Sequence, residues 1–216
     1  MKRTLINNNS DRLILFFNGW GMDEQVIKNV LGDYDVLTLS AYHVKGELPI
    51  EQIKKYNEIY VVAWSMGVWV ADCSTELEEL SVKKYIAING TPKPIDNQLG
   101  IPERIFKGTL DTLNERNRNK FQMRMFGGVK EFAAATDVLP KRELKEQTEE
   151  LQYFWDQAKD HHGNKSWDKA FVGSNDLIFP ADNLSQYWNL ASKTEVLEMP
   201  HFPFCVLDTW DRIVAE

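Results

Sequence analysis

This sequence has little cysteine and lacks long apolar runs and clustered metal ligands. Its 216 residues include two cysteines, Cys73 and Cys205, which lie far apart and outside any CxxC or Cys/His spacing. We therefore expect reduced packing cysteines, with no disulfide, no zinc site and no other metal. No run approaches the roughly 18 apolar residues of a membrane span, and residues 1–10 lack the apolar stretch of a signal peptide. A cytoplasmic protein is expected.

An excess of positive charge is also missing. The formal net charge is −7 at neutral pH, which argues against general binding to nucleic acid. Internal repeats, low-complexity tracts and Gly/Ser-rich linkers are absent too. With 43% apolar residues, the chain is long enough to bury a sizeable core, and we expect one domain with an elaboration. Neither nucleic acid nor a membrane is expected as a partner.

Short apolar runs alternate with helical patterns along most of the chain. The predicted strands are 12–18, 35–41, 58–64, 83–89, 169–173 and 194–199, with a short edge strand at 4–8. The predicted helices are 22–32, 48–56, 66–80, 181–191 and 203–215. Nearly continuous apolar strands are typical of a parallel sheet that is buried on both faces. The pattern therefore predicts an α/β fold with a mainly parallel sheet of about six or seven strands and helices on both faces.

The alternation is interrupted between residues 91 and 165. This segment carries helix-like patterns and no convincing strand, and it is too long for an ordinary loop. We therefore predict a core formed by residues 1–90 and 166–216, with a helical lid inserted at 91–165.

The stretch "VVAWSMGVWVAD" at 61–72 places a serine, Ser65, between a strand and a helix. Ala63 and Gly67 are small residues two positions before and after it, as a sharp strand-to-helix turn requires. This pattern is typical of a nucleophile elbow, which exposes the serine Oγ at the carboxyl end of a strand. The alternative is an ordinary N-cap serine for the helix that starts at Met66.

A serine nucleophile needs a base, and a base needs a group that orients it. His201 follows the last predicted strand, at the same sheet edge as Ser65, whereas His43 lies in a loop and His161 and His162 end a charged helical stretch. Asp176 follows the preceding strand, and one αβ unit should return the chain beside it. The order Ser, Asp, His matches that of the elbow enzymes. Should Asp176 not fill the role, Asp96 and Asp111 are the next carboxylates to consider.

The loop "FFNGWGMD" at 16–23 follows an early strand and could supply donors for an oxyanion. Gly19 and Gly21 allow a sharp turn that leaves the Trp20 amide free, and the Met66 amide would be the second donor. The alternative is a glycine-rich turn with a buried tryptophan, and this interpretation is compatible with a role in binding an oxyanion. No Walker lysine follows, so a phosphate cradle is not indicated.

The segments "FFNGWGMD", "VVAWSMGVWVA", "FVGSNDLIFP" and "MPHFPF" together resemble the α/β-hydrolase superfamily. More narrowly, the chain resembles the compact BioG-type pimeloyl-[acyl-carrier-protein] methyl ester esterases over its whole length. The resemblance implies an α/β-hydrolase fold and a cofactor-free serine esterase. It would hydrolyse the methyl ester of pimeloyl carried on acyl carrier protein, in biotin biosynthesis. The implied catalytic residues are Ser65, Asp176 and His201, with oxyanion donors at Trp20 and Met66. Ala63 departs from the glycine that relatives commonly have.

Positive charge is concentrated in the predicted lid. Residues 103–145 contain ten basic and six acidic side chains, and such a basic cap favours an acidic partner such as acyl carrier protein. The residues predicted to contact the carrier are Arg116, Arg118, Lys120, Arg124 and Arg142. Those predicted to line an acyl pocket are Phe121, Met125 and Phe126. The alternative is a solvated basic helix whose Met/Phe stripe packs in the core.

Two other functions remain open on the sequence. One is a general serine esterase or thioesterase acting on small acyl esters with the same three residues. The other is a hydrolase-like binding protein without turnover, which would need a degraded triad or a blocked pocket.

Overall fold

A computed structural model describes residues 1–159, 165–189 and 191–215, so His161 and His162 lie outside the described residues. Within these described ranges, seven strands form one sheet in the order β1-β3-β2-β4-β5-β6-β7. Their bounds are β1 Lys2–Ile6, β2 Arg12–Phe17, β3 Asp35–Ser40, β4 Glu58–Trp64, β5 Val82–Ile88, β6 Lys169–Gly173 and β7 Lys193–Leu197. All seven predicted strands are therefore present: β4 and β6 have the predicted bounds, and the ends of the other five differ by one or two residues.

The sheet is parallel except for its edge strand β1, which pairs antiparallel with β3. Alternate residues of β2 enter different cores: Leu13 and Leu15 pack on one face, and Ile14 and Phe16 on the other. Burial on both faces explains why the strands read as continuous apolar runs. The predicted α/β-hydrolase type of sheet, with both faces covered, is confirmed.

The helices are α1 Ile50–Ile53, α2 Met66–Cys73, α3 Glu103–Asp111, α4 Glu115–Met125, α5 Val129–Ala134, α6 Leu144–Gln157, α7 Ala181–Trp188 and α8 Trp210–Val214. None of the helices in the described ranges combines the length and apolar character needed to cross a membrane. Cys73 and Cys205 are both free, and burial raises the pKa of the Cys73 thiol to about 12.

All five predicted helices are shorter in the structure, and the local cause is visible in three of them. The segment predicted at 22–32 contains a 3-10 turn, Glu24–Ile27, whose first turn is capped by the Asp23 carboxylate. The helix predicted at 203–215 begins only at Trp210, because Thr209 caps it by accepting from the Arg212 amide. The helix predicted at 66–80 is also interrupted: α2 ends at Ser74, whose backbone is extended, and a 3-10 turn follows. Apolar periodicity does not reveal where such local caps interrupt a helix.

Helices α3 to α6 all lie between β5 and β6 in the chain, where the helical insertion is predicted. The described part of residues 91–165 contains no strand, apart from an isolated bridge between Ile95 and Ile101. Leu151 and Phe154 of α6 belong to the same apolar core as β2 and β4. We propose that residues 91–165 form a helical insertion whose helix α6 packs as part of the main core.

Candidate active site

Ser65 lies in the sharp turn between β4 and α2, at the carboxyl end of a central strand. Its backbone has φ 58° and ψ −127°, a conformation that non-glycine residues rarely adopt and that is common at active sites. A Cβ added to Gly67 would lie 2.2 Å from the Phe17 carbonyl oxygen, so this position requires glycine. The Ser65 side chain makes no capping hydrogen bond to α2, which removes the N-cap interpretation.

The side chains of Ser65, His201 and Asp176 form one hydrogen-bonded chain. His201 Nε2 lies 2.9 Å from Ser65 Oγ, and its Nδ1 lies 2.7 Å from Asp176 Oδ2. All three residues are buried. The parallel pairing of β6 with β7 brings the segments after these strands to one edge of the sheet, as the sequence predicts. His43 lies elsewhere, with its Nε2 3.7 Å from a carboxylate oxygen of Glu149 in α6.

The His201 imidazole is fixed by its surroundings as well as by Asp176. The His201 carbonyl accepts from the Trp64 indole N–H at 2.9 Å and from the Asn89 side-chain amide at 3.0 Å. The Phe179 ring stacks against the imidazole with a centroid distance of 5.8 Å and an interplanar angle of 6°. Backbone and ring are therefore both held, which preorganises the contact with Ser65.

The loop after β2 approaches Ser65 directly. A Cβ added to Gly19 would lie 3.2 Å from the Ser65 Cβ. The Met22 amide donates to the Gly19 carbonyl at 3.3 Å, and Gly21 has φ 73°, the positive value that the third position of a type II turn requires. Among the described residues, the Trp20 amide has no hydrogen-bond acceptor. This amide is therefore available to a ligand beside Ser65.

The same loop is closed by its own polar groups. The Asn18 carbonyl accepts from the Tyr42 hydroxyl at 2.9 Å, and burial raises the pKa of Tyr42 well above its usual value, so this hydroxyl remains a donor. The Asn18 side-chain amide donates to the Asp23 carbonyl at 3.0 Å. Burial also raises the pKa of Asp23, although the amides of Lys141 and Gln25 that donate to its carboxylate oppose that rise.

A cavity of about 540 Å³ opens beside these groups. Ser65 and His201 lie in its wall, together with Trp20 and Met66 of the proposed oxyanion site and with Phe121 and Met125 of α4. The Phe121 ring packs edge-on against Trp20 at a centroid distance of 4.9 Å. In the described part of the chain, no group of three or more His, Cys, Asp or Glu side chains is arranged to hold a metal ion.

Comparison with known proteins agrees with this geometry. The family model for the pimeloyl-ACP methyl esterase BioG matches residues 1–213. The chain belongs to the BioG family. It is 33% identical over 218 residues to a protein from Haemophilus influenzae described as uncharacterized, covering 99% of both chains. It is also 41% identical over 176 residues to a malonyl-[acyl-carrier protein] O-methyltransferase from Bacteroides fragilis, where the match covers 81% of this chain but 36% of that longer protein.

Solved structures give the same assignment. The crystal structure of BioG from Haemophilus influenzae superposes with a TM-score of 0.90 at 32% identity, covering 100% of both chains. An esterase from Exiguobacterium antarcticum superposes with a TM-score of 0.67 at 14% identity, covering 94% of this chain and 88% of that one. At that identity the likeness shows the shared α/β-hydrolase fold. This BioG-family chain is therefore an esterase by family and an α/β-hydrolase by fold.

The basic residues of α4 take different places in this BioG-family structure. Lys120 and Arg124 line the active-site cavity. Arg104 of α3 also lines it, although it is not among the carrier contacts predicted from the sequence. Arg116 is exposed on α4 outside the cavity wall, and Arg118 pairs with Glu115 one turn earlier. Lys120, Arg124 and Arg104 are therefore the cations nearest the path to Ser65.

Two residues predicted to contact the carrier or the acyl group, Arg142 and Phe126, do not line the active-site cavity. Arg142 is 8% exposed and donates to Glu150 at 2.6 Å, so the prediction that it contacts a carrier is wrong: its charge is buried and paired inside the protein. Phe126 lies outside the active-site cavity and packs on Phe202 at a centroid distance of 4.5 Å, so it does not line the acyl pocket. The Met/Phe stripe of α4 divides between the cavity and the core because a helix turns by about 100° per residue.

Several residues that shape the site were not found by sequence reasoning. Asn89, with φ 45°, accepts from the Gly173 amide and donates to the segment that carries His201. A Cβ added to Gly90 would lie 2.2 Å from the Ser65 carbonyl oxygen. Their signal is an Asn-Gly pair at the carboxyl end of a buried strand, beside the strand of Ser65. Glu150 of α6 gives no such signal, because its partners are distant in the sequence.

Proposed function

We propose that this chain is a serine esterase that hydrolyses the methyl ester of pimeloyl carried on acyl carrier protein, a step of biotin biosynthesis. The observation that carries the proposal is the buried Ser65–His201–Asp176 hydrogen-bond chain in a member of the BioG family. In this proposal Ser65 is the nucleophile, His201 the general base and acid, and Asp176 the orienting carboxylate.

The hydrogen bonds of Asp176 support one tautomer of His201. Asp176 Oδ1 accepts from the amides of Ile178 and Phe179, at 2.7 and 2.9 Å, which leaves Oδ2 to accept from His201 Nδ1. An ionised carboxylate only accepts, so Nδ1 carries the hydrogen and Nε2 presents its lone pair to the Ser65 hydroxyl. The base is thus in the form that can take the Ser65 proton.

The reaction then follows in two stages. Ser65 Oγ attacks the ester carbonyl while His201 Nε2 takes its proton, and the amides of Trp20 and Met66 donate to the resulting oxyanion. Collapse expels methoxide, which leaves as methanol with the proton from His201, and an acyl-serine remains. Water attacks this ester with His201 again acting as base, and Ser65 is released with its proton restored. The products are methanol and a free distal carboxyl group.

The wall of the cavity supports a chain-like apolar acyl group. Phe121 and Met125 of α4 line it together with Ile101, Phe106 and Leu113. Burial of methylene groups on these side chains contributes on the order of 0.8 kcal/mol per CH₂. A linear diacid with one end esterified can lie along this wall, because the ester, unlike a carboxylate, carries no charge into it.

The cations at the cavity support an acidic carrier with a phosphate-bearing arm. Arg104, Lys120 and Arg124 are exposed and line the cavity. None of the three has a carboxylate within ion-pair distance among the described residues. Free cations beside a cavity attract phosphate groups and acidic surfaces. We therefore propose that these three residues contact the carrier, and Arg116 and Arg118 remain predicted contacts on the same helix.

The deciding experiment measures methanol release from purified pimeloyl-[acyl-carrier protein] methyl ester. The wild-type protein should release methanol and leave the pimeloyl group on its carrier, whereas Ser65→Ala should lower the rate by at least about 10³-fold. Ser81→Ala, an exposed serine just before β5, is the matched control and should keep the wild-type rate.

Two results would count against the proposal. Release of the carrier thiol in place of methanol would make the protein a thioesterase. Failure of a fluorophosphonate to label Ser65 in the folded protein, together with no methanol release, would indicate a binding protein without turnover.

A further inference from the structure

Helix α6 contacts the loop of residues 18–23 through a fully buried carboxylate. Glu150 is 0% exposed, and its Oε2 accepts from the Gly21 amide at 2.9 Å. Its Oε1 accepts from the Tyr42 amide, also at 2.9 Å. One side chain of the inserted segment therefore fixes two core loops, one after β2 and one after β3.

The charge of Glu150 is balanced inside the protein by Arg142. Arg142 Nη1 donates to Glu150 Oε2 at 2.6 Å and to the Met22 carbonyl at 3.4 Å. Taking a carboxylate out of water is costly unless it is paired and hydrogen-bonded. A buried ion pair is weak evidence for a stabilising role, because replacing it by apolar residues of similar volume often leaves the free energy of unfolding unchanged or raises it. A need for an anionic acceptor at the Gly21 amide explains why this ion pair is buried here.

A second residue of α6 fixes the neighbouring groups of the same turn. The Gln147 carbonyl accepts from the Trp20 indole N–H at 2.7 Å, and its side-chain amide donates to the Gly21 carbonyl at 3.4 Å. Together with the bond from Met22 to Gly19, these contacts hold each peptide plane of the turn. A Gly-Trp-Gly turn has little intrinsic rigidity, because glycine populates both signs of φ.

The middle peptide of such a turn has two main orientations. In type I and type II turns the peptide between the second and third residues, here Trp20 and Gly21, is flipped by about 180°. The Gly21 N–H faces the Glu150 carboxylate in this structure. The flipped peptide would present a carbonyl to that carboxylate, which is repulsive. Glu150 therefore selects one orientation of this peptide and anchors Gly21, so it fixes the position of the turn whose first peptide carries the Trp20 amide.

We propose that Glu150, charge-balanced by Arg142, is a positioning residue for the oxyanion site. It holds the Gly19–Met22 turn so that the Trp20 amide faces the reacting ester carbonyl. The inference rests on the proposed function, because it assigns a role in the same reaction. It also makes α6, a helix of the inserted segment, necessary for the chemistry of the core.

The test compares Glu150→Gln with Glu149→Gln, an exposed neighbour on the same helix. An amide has one acceptor oxygen, so in Glu150→Gln one of the two backbone N–H groups faces an NH₂ group. Loss of a direct oxyanion donor costs about 10²–10³-fold in kcat, and a misplaced one should cost roughly 10-fold. We expect Glu150→Gln to lower kcat by that factor with KM within about 2-fold, and Glu149→Gln to match the wild type.

A transition-state analogue separates positioning from folding. A trifluoromethyl ketone related to the methyl ester forms a tetrahedral adduct with Ser65, so its affinity should fall by the same factor as kcat/KM. Rates are normalised to the fraction of sites that a fluorophosphonate titrates. Glu150→Asp is the second variant, because it keeps the buried charge and with it the ion pair, but its carboxylate falls short of the Gly21 amide. It should show the same loss of kcat even if Glu150→Gln does not fold.

The outcomes are distinguishable. Unchanged kcat and unchanged ketone affinity in folded Glu150→Gln or Glu150→Asp would overturn the inference, and so would a loss confined to thermal stability. If the wild-type protein releases no methanol, the proposed function itself fails. If the wild type is active and both Glu150 variants match it, only the positioning role fails.

Discussion

The backbone of Ser65 is held at positive φ by close packing of two glycines, Gly67 and Gly90, neither of which leaves room for a Cβ. A Cβ added to Gly67 would meet backbone oxygens of Phe17 and Asn18 at 2.2 and 2.6 Å. We therefore expect Gly67→Ala to lower the free energy of unfolding by about 3 kcal/mol or more.

Gly108 in α3 is the control for that prediction. An added Cβ there has nothing within 4 Å, so Gly108→Ala should raise the free energy of unfolding by about 0.5–1 kcal/mol. Urea denaturation of both variants measures the two changes. Equal effects would contradict the packing argument.

A second prediction about a single residue concerns Asp176. In Asp176→Asn the amide oxygen should stay with the backbone N–H groups of Ile178 and Phe179, which turns the NH₂ group toward His201 Nδ1. The imidazole must then carry its hydrogen on Nε2 and can no longer accept the Ser65 proton. We expect kcat for methanol release to fall by about 10³–10⁴-fold.

The control for Asp176→Asn is Asp182→Asn, an exposed carboxylate in the first turn of α7. It should keep kcat within about 2-fold of the wild type. Nearly full activity in a folded Asp176→Asn protein would show that another group orients His201.

Among the elements, strand β3 begins with a buried carboxylate that should make stability depend on pH. Asp35 is 4% exposed and accepts from the amides of Asn8 and Ser10 and from the Tyr56 hydroxyl. Burial alone would raise the pKa of Asp35, but these donors bring it below the usual value of 3.8. A lowered pKa contributes stability above pH 3.8 that is lost as pH falls through the folded-state pKa.

We therefore expect Asp35→Asn to lower the free energy of unfolding by about 1–3 kcal/mol at pH 7. The difference from the wild type should shrink below pH 3.8, because the carboxylate takes up a proton first in the unfolded chain and, at lower pH, in the folded protein. Denaturant titrations between pH 3 and pH 7 measure this. Asp33→Asn, at an exposed position two residues earlier, should change stability by less than about 0.5 kcal/mol at pH 7. A difference independent of pH would contradict the role of the charge.

Helix α4 carries the prediction about the carrier. Lys120 and Arg124 line the cavity without carboxylate partners among the described residues. Their double replacement by Glu should raise KM for the carrier-bound ester by about 10-fold and leave kcat within about 2-fold. Added salt should weaken the wild-type interaction by screening. Hydrolysis of a small neutral ester should not change, because neither side chain contacts the reacting groups.

Arg116→Glu is the comparison within the same helix. Arg116 is exposed but lies outside the cavity wall, so its effect on KM should be smaller, about 2-fold. Equal losses on the carrier-bound and the small ester would mean that the double variant disturbs α4 itself. No loss on either substrate would place carrier recognition elsewhere.

For the whole molecule, the inserted helices and the sheet share one core. Phe154 of α6 is fully buried and packs edge-on against Tyr42 and Trp69 of the core. Phe154→Ala should therefore lower the free energy of unfolding of the entire chain by about 3–5 kcal/mol. Far-UV circular dichroism and tryptophan fluorescence should still report one coincident transition. Two separate transitions would show that the insertion unfolds as a unit of its own.

Much of this fold can be predicted from the sequence, because strands buried on both faces must be almost entirely apolar. The five inner strands and the position of the helical insertion follow from that pattern, whereas the edge strands β1 and β7 are largely exposed. The helix ends are less predictable: Thr209 delays α8, and Ser74 ends α2 early. The start of α8 depends on one side-chain hydrogen bond and the end of α2 on the extended backbone of Ser74, and hydrophobic periodicity records neither.

The sequence by itself determined the placement of Ser65, Asp176 and His201, because each follows a parallel strand and such strands end at one edge of the sheet. Only the tertiary structure decided which charges of the inserted segment face the cavity. Arg142 and Lys120 have the same charge and both lie in the basic segment 103–145, yet Arg142 is buried against Glu150 whereas Lys120 lines the cavity. The environment of Arg142 depends on contacts between α6 and loops more than 100 residues earlier. No local pattern encodes such contacts, because they arise only when distant segments pack together.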